Sequence, residues 1–518
     1  MISAIHWIRQ GVAAQHPEKY NLDDKEYDRI QKLAADQLED AREDLKAAEA
    51  MSVDQKEPTT TTNDDDDLAR YNLDTYDEEV EADKDRQVGV FSKIKNLTYY
   101  DNDDEDPYVT MKDDAKEQLE EQQELEILPT DNLLLAARTE DDISHLEVYV
   151  FESNQDNLYV HHDIMLPSFP LCLEWLDFHC GTKLGQASNG NYVAIGTFEP
   201  DIEIWNLDTI DVMYPETILG HTDKSKKRSK KVNANYHVDA IMDLSWNKNH
   251  KNFLLSSSAD GTVKMWDLTT SKCVQSYTHH SDKVQSVAWH PTEATVFMTG
   301  SYDKTVCVLD ARSPGQVTRW QLDSDVESLR WDPHQPTNFY VALESGFVHY
   351  YDVRNKNGEQ GGKPLYILQA HDGPVSALDV NPLIPGCIAT GGTDKAIKVW
   401  NTTNNKPSMV TTRNFDLGKI FCTQFCPDAA FQLAIAGSNG KMHIWDMSTN
   451  AGVRQAFSHI QGLAGPAPAV EKQPITILDS AEHESDDDDD MEQDAAGHGD
   501  DDDDDDDEDD DDEDMDEE

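Results

Sequence analysis

The chain is poor in cysteine, in long apolar runs and, over its flanks, in anything that could build a core. Seven cysteines occur in 518 residues: Cys172, Cys180, Cys273, Cys307, Cys387, Cys422 and Cys426. They form no CxxC and no zinc-ligand spacing, and an odd number at these intervals makes no disulfide framework. They read as reduced, buried thiols in a reducing compartment. No run of 18 apolar residues exists, and the opening MISAIHWIRQG is short and polar for a signal peptide. Neither a membrane span nor a leader is predicted. A glycine-rich phosphate loop and a nucleophile elbow are also missing. The expectation is a protein that is no enzyme, with no cofactor, no metal, no membrane contact and no small-molecule substrate.

Basic residues are scarce too, 43 Lys and Arg against 103 Asp and Glu, for a net charge of −60. The imbalance sits at the flanks. Asp486–Glu518 holds 25 carboxylates and no Lys or Arg, and residues 20–126 carry a net −22. Low apolar content and self-repulsion leave ordering entropy unrecovered there, so both stretches are predicted to be largely disordered. The middle keeps most of the Trp, Phe and β-branched residues and can bury a core.

That middle repeats every 40–45 residues or so. One landmark is an alternating strand that ends in an aromatic residue: IEIWNLD, VKMWDL, VCVLDAR, VHYYDVR, IKVWNT and MHIWDM, with LEVYVF as an earlier, weaker copy. The key positions are Tyr149, Trp205, Trp266, Leu309, Tyr351, Trp400 and Trp445, which makes seven. About 25 residues upstream lies a second landmark, as in LCLEWLDF, AIMDLSWNK, KVQSVAWHP, DVESLRWDP and VSALDVNP. Between the two lie a small-residue strand and an Asp turn: LSSSADGT, MTGSYDKT, ATGGTDKA. Four short antiparallel strands per repeat, arranged radially, make a propeller blade. The fold class predicted is all-β, a seven-bladed WD40-type β-propeller over residues 127–458, with an acidic N-terminal excursion and a tail from 459 to 518.

The Asp turns have a physical reason. A His before the first strand, a Ser or Thr on the second, the turn Asp and the Trp can form one buried hydrogen-bonded set, in which every member must be satisfied. The predicted sets are His237, Ser256, Asp260, Trp266 and His371, Thr390, Asp394, Trp400. A partial set is His280, Thr299 and Asp303, with Leu309 where Trp is expected. Their recurrence in each repeat makes them structural rather than catalytic. His161–His162 and His279–His280 read as strand-end loop residues rather than ligands. The first blade lacks an inner strand of its own. ISAIHWIRQ matches the DLSWNK and SVAWHP pattern, so residues 2–9 are predicted to join that blade, with residues 1–19 as its N-terminal segment. A free partner-binding peptide around Trp7 is the rival reading.

Residues 127–458 resemble the WD-repeat propellers and, more narrowly, the periodic tryptophan branch of that family. The resemblance rests on WIRQGVA followed by His16–Pro17, LARYNLDTYDEE, LTYYDNDDEDPYVTMKDD, LPTDNLLLAAR, LYVHHDIML, LEWLDF, DLSWNKN and GSYDKTV. The long polyacidic C-terminus departs from the pattern. The resemblance implies a nuclear and nucleolar scaffold in large ribosomal subunit assembly and rRNA processing. Its partners would be pre-ribosomal RNA and large-subunit assembly factors. Two alternatives stand beside it. A histone- or chromatin-binding propeller acting on rRNA gene transcription is suggested by the acidic tail. A ubiquitin-ligase substrate receptor is suggested by Asp310–Arg312 and Asp352–Arg354, although neither pair follows a Trp.

Four segments outside the repeat could carry function. Lys224, Lys226, Lys227, Arg228, Lys230 and Lys231 form a dense basic run between the second and third blades. It could be a nuclear import signal, an RNA-phosphate grip or a solvated loop; with no aromatic interleaving, base reading is not expected. Residues 23–50 read as a helix with a thin apolar stripe, either docked or partly ordered. Asp106, Pro107, Tyr108 and Val109 form a candidate docking peptide within the acidic excursion. The tail could attract histones or basic ribosomal proteins, or only solubilise, and Ser485 before five Asp residues is a candidate phosphosite.

Overall fold

The computed structural model describes residues 1–20, 125–181, 190–220, 231–357, 360–458 and 471–476, with isolated positions at 22, 27, 30, 31 and 123. The period-2 segments form seven antiparallel blades, beside a two-stranded parallel pair of Glu18–Lys19 with Thr209–Ile210. Blade 1 runs from its inner to its outer strand as Ile2–Ile8, Asn132–Glu140, Ile143–Glu152 and Asn157–Leu166. Blade 2 is Pro170–Leu176, Tyr192–Thr197, Ile202–Asn206 and Thr217–Leu219, and blade 3 is Ile241–Trp246, Phe253–Ser258, Val263–Asp267 and Lys272–Tyr277. Blade 4 is Val284–Trp289, Val296–Ser301, Thr305–Asp310 and Val317–Gln321. Blade 5 is Val326–Trp331, Asn338–Leu343, Phe347–Asp352 and Tyr366–Gln369, and blade 6 is Ala377–Val380, Cys387–Gly391, Ile397–Asn401 and Ser408–Arg413. Blade 7 is Ile420–Phe425, Gln432–Gly437 and Met442–Asp446. The propeller is therefore seven-bladed. No helix among the described residues is long and apolar enough to cross a membrane.

Residues 2–8 lie where the sequence reading put them, paired antiparallel with Asn132–Glu140, so that Trp7 faces Leu134. Residues 471–476, assigned by that reading to the tail, behave differently. After the short helix Ala451–Ala456, whose N-terminus is capped by the Asn450 side chain, Ile475 bridges Ile444 through two backbone hydrogen bonds of 2.9 Å. Ile444 belongs to the third strand of blade 7, so this segment stands in the outer-strand position. Glu471 holds it there by accepting from Trp445 Nε1 at 3.1 Å and from Asn450 Nδ2 at 3.0 Å, and by pairing with Arg413. An outer edge with unpaired backbone groups invites such a partner.

Burial between blades holds the wheel together. Each apolar cluster draws on two adjacent blades: Leu133, Leu135, Val193 and Trp205 across blades 1 and 2; Leu176, Tyr192, Trp246 and Trp266 across blades 2 and 3. Trp205, Trp266 and Trp445 are each 1% exposed. Full burial of a large apolar side chain stabilises by about 1.5–3 kcal/mol, so each key position is a substantial term. The small residues of the second strands follow from the same packing. A Cβ on Gly196, Gly300 or Gly391 would meet Ile241, Val326 or Ile420, the first or nearly first residue of the next blade's inner strand, at 2.5–2.6 Å. The inner strands of blades 1 to 5 and 7 share a register shift near their start, such as Ile241/Asp243 and Val284/Ser286. A bulge there increases local twist and re-aims the side chains that follow.

Candidate functional site

The predicted buried sets assemble. In blade 3, His237 Nδ1 lies 3.1 Å from Asp260 and Nε2 lies 2.7 Å from Ser256 Oγ, while Trp266 Nε1 donates to Ser256 Oγ at 2.8 Å. In blade 6, His371 joins Asp394 and Thr390 at 2.9 Å each, and Trp400 Nε1 donates to Thr390 Oγ1 at 2.9 Å. The order Ser–His–Asp imitates a hydrolase triad, yet Ser256 and His237 are wholly buried. The indole N–H also occupies the hydroxyl oxygen that would have to attack. Asp260 accepts further bonds from Val238 N, Thr262 N and Thr262 Oγ1. Its carboxyl is held well below the ordinary range: burial opposes this, and the His237 and Thr262 bonds outweigh it. These groups tie the strands of the blade together.

In blade 4, His280 reaches Asp303 at 2.9 Å and Thr299 at 2.8 Å, as expected. The place of the missing indole is taken by His279, whose Nε2 lies 2.9 Å from Thr299 Oγ1. His279 thus lies in the loop after Lys272–Tyr277, as expected, and also takes part in the set. For His161 and His162 the structure corrects the expectation. They lie within the outer strand of blade 1, with His161 Nδ1 2.7 Å from His162 Nδ1.

A second pattern escaped the sequence reading. Two residues before each key aromatic position stands a residue that can supply a polar group to the blade interior. They are Glu147, Glu203, Lys264, Cys307, His349, Lys398 and His443. Trp205 Nε1 donates to Glu203 at 3.0 Å, Tyr149 donates to Glu147, and His349 Nδ1 lies 3.2 Å from the Tyr351 hydroxyl. Lys264, 0% exposed, donates to Asn233 O at 2.6 Å and Ser276 Oγ at 2.8 Å. Blades without the His–Asp set thus satisfy their aromatic donors another way.

The inner strands surround a central channel of about 770 Å³. One residue before the end aromatic of each strand, or its aliphatic equivalent, His6, Glu174, Ser245, Ala288, Arg330, Asp379 and Gln424 line it. These seven positions tie each blade to the next. His6 Nδ1 is 4.0 Å from Glu174, and Glu174 accepts from Trp246 N at 2.9 Å. Ser245 Oγ accepts from Trp289 N at 3.0 Å, and Ala288 O accepts from Trp331 Nε1 at 3.2 Å. Arg330 Nε is 3.6 Å from Asp379, and Asp379 accepts from Phe425 N at 2.8 Å. Gln424 closes the ring by accepting from Trp7 N at 2.8 Å and, through its backbone oxygen, from Trp7 Nε1 at 3.1 Å. Burial pushes Glu174 up to about 7 and His6 down to about 3. Asp243 and Asp379 are raised by burial as well, against the opposing pull of Arg330. The channel wall is thus polar and charged.

The remaining sequence candidates fall elsewhere. Lys224, Lys226, Lys227, Arg228 and Lys230 lie outside the described residues, as do Asp106, Pro107, Tyr108, Val109 and Ser485. Lys231 is described and exposed. Of the predicted helix 23–50, only Tyr27, Ile30 and Gln31 are described in helical conformation. Arg312 and Arg354 fold back on Asp310 and Asp352 at 2.6 and 2.7 Å.

Comparison with known proteins adds three findings. The WD domain, G-beta repeat model matches residues 230–267, 271–310 and 362–401, which hold the third strands of blades 3, 4 and 6. An uncharacterized WD repeat-containing protein of Schizosaccharomyces pombe is 45% identical, over 88% of this chain and 91% of its own length. Periodic tryptophan protein 1 of Saccharomyces cerevisiae is 36% identical over 88% and 90%, and its homolog from Drosophila melanogaster 30% over 88% and 96%.

Proposed function

The chain belongs to the periodic tryptophan protein 1 family of WD-repeat proteins, and on that premise we propose that it acts in ribosome biogenesis as a non-enzymatic scaffold. The scaffold would hold pre-ribosomal RNA and large-subunit assembly factors together in the nucleolus. The observation that carries the reading is where the polar side chains point. The His–Asp pairs of blades 3, 4 and 6 are engaged inside the blades. The channel residues bridge neighbouring blades. What remains for function is the two faces of the wheel and, almost wholly outside the described residues, the basic run at residues 224–231 and the acidic flanks. Surfaces of this kind bind partners, and on such a fold function resides in the loops. The basic run suits phosphate contacts, and the tail suits basic proteins met during assembly.

Sedimentation of tagged protein from nuclear extract tests the proposal, with RNA and protein identified in its peak. Co-migration with large-subunit precursors, lost on RNase treatment, is the expected result. A light peak with no precursor RNA would overturn it. The 25 carboxylates of Asp486–Glu518 favour one second reading, capture of histones. In that case the light peak would contain histones that stay bound at moderate salt.

A further inference from the structure

The hydrogen-bonded set of blade 4 differs from its counterparts in the atoms that meet at the hydroxyl. In blades 3 and 6 an indole and one imidazole converge there. In blade 4 two imidazoles do, with His279 and His280 ring centroids 4.4 Å apart. Strand pairing then sets Cys307 opposite Thr299, so a thiol comes to the same place. One ring nitrogen of each histidine and the Cys307 sulfur all lie within 4.8 Å of one another, the one such grouping of three among the described residues. Thr299 has a single hydroxyl proton and cannot donate to both rings. With His280 Nδ1–H directed at Asp303, His280 Nε2 is the acceptor and His279 Nε2–H the donor. His279 Nδ1 is then a bare lone pair, and it is buried with no hydrogen-bond partner.

We propose that His279, His280 and Cys307 bind a zinc-class transition-metal ion inside blade 4. Two imidazoles and a thiolate suit zinc, whereas magnesium and calcium take oxygen donors. Asp303, 2.9 Å behind His280 Nδ1, is the outer carboxylate that orients a metal-binding imidazole and raises its basicity. Zinc bonds of about 2.0 Å to nitrogen and 2.3 Å to sulfur place ligand atoms roughly 3.5 Å apart, so the three donors must close by about an ångström, within the range of side-chain torsions. On binding, the Cys307 thiol gives its proton to solvent and His280 Nε2 exchanges its hydrogen bond to Thr299 for a metal bond, while His279 ligates through Nδ1 and keeps its Nε2–H bond to Thr299. A water fills the fourth position. The ion would clamp the loop carrying His279 and His280 to the third strand of blade 4, where the other blades use an aromatic side chain.

The test is metal content of the full-length protein, purified from zinc-supplemented cells and desalted. About one zinc per chain is expected in the wild type, at least tenfold less in Cys307→Ala, and the wild-type amount in Cys422→Ala. Zinc held on the acidic flanks would be equal in all three. Should Cys307→Ala fail to fold, cobalt(II) titration of the wild type decides, because a Cys307 ligand gives a thiolate-to-cobalt absorption band. Equal zinc in wild type and Cys307→Ala, or cobalt binding without that band, overturns the proposal.

Discussion

Replacing Trp7 by Ala is expected to destabilise the propeller more than any surface change, although the residue lies near the start of the chain. The indole is 3% exposed. Truncation of a buried Trp to Ala costs about 3–5 kcal/mol. Within that figure, the Nε1–H bond to Gln424 O accounts for roughly 1 kcal/mol. The edge-to-face contact with Phe151, at 5.9 Å between centroids, adds about as much. A change of about 4 kcal/mol is nearly a thousandfold in an equilibrium constant. Urea unfolding followed by circular dichroism measures it, with Met213→Ala, at a site 70% exposed, as the control expected within about 0.5 kcal/mol of wild type. A second assay needs no mutation. Protease cutting of the folded protein between residues 20 and 126 severs the first strand from its blade covalently, yet the N-terminal fragment should co-elute until urea is added. A Trp7→Ala change under about 1 kcal/mol, or loss of the fragment in native buffer, would refute the reasoning.

Four further outcomes are expected. Asp260→Asn should destabilise blade 3 by about 3 kcal/mol by breaking a buried set. Because the folded Asp260 pKa is depressed, the stability it supplies is present above the ordinary 3.8 and lost as pH falls through the folded value; the acid limb of a stability–pH profile should flatten in the mutant. Glu174 behaves oppositely. Its folded pKa, raised to about 7 from 4.5, makes the native state bind more protons between those values, so stability falls as pH rises across them. Glu174→Gln should remove that slope, worth about 3–4 kcal/mol by pH 8, and leave the acceptor for Trp246 N in place. Glu471→Ala should raise amide exchange at Ile444 and Ile475 by at least tenfold, with the rest of the wheel unchanged. Changing Lys224, Lys226, Lys227, Arg228, Lys230 and Lys231 together to Ala should weaken RNA association and make its salt dependence shallower; unchanged RNA binding would assign the run to import or to solvent.

The blades were legible because one signal repeats: an aromatic at the end of an alternating strand, with a His–Asp separation that recurs. His237–Asp260, His280–Asp303 and His371–Asp394 are each 23 residues apart. Such a spacing is visible without knowing where the chain goes. The channel ring was not legible. His6, Glu174, Ser245, Ala288, Arg330, Asp379 and Gln424 share a position but no residue type, and their partners lie on the next blade. The part His279 plays in the set was not legible because two adjacent histidines look interchangeable until their side chains are seen both to reach Thr299. The return of Glu471–Thr476 to blade 7 was hidden by a single apolar contact point, Ile475, far along the chain from its partner. The reading of Trp7 succeeded because ISAIHW carries the same alternation as the other inner strands.

The position of that first strand has a consequence for biosynthesis. Trp7 is bonded to Gln424, 417 residues later. At about 5–20 residues per second, roughly 20–80 s pass between synthesis of the two. Throughout that interval an apolar strand, ISAIHWI, has emerged without the neighbour that completes its seam. The wheel therefore cannot lock blade by blade from its N-terminal end. Six blades can stack as they appear, but closure waits for the seventh, and the nascent chain must keep its opening residues from pairing elsewhere until then.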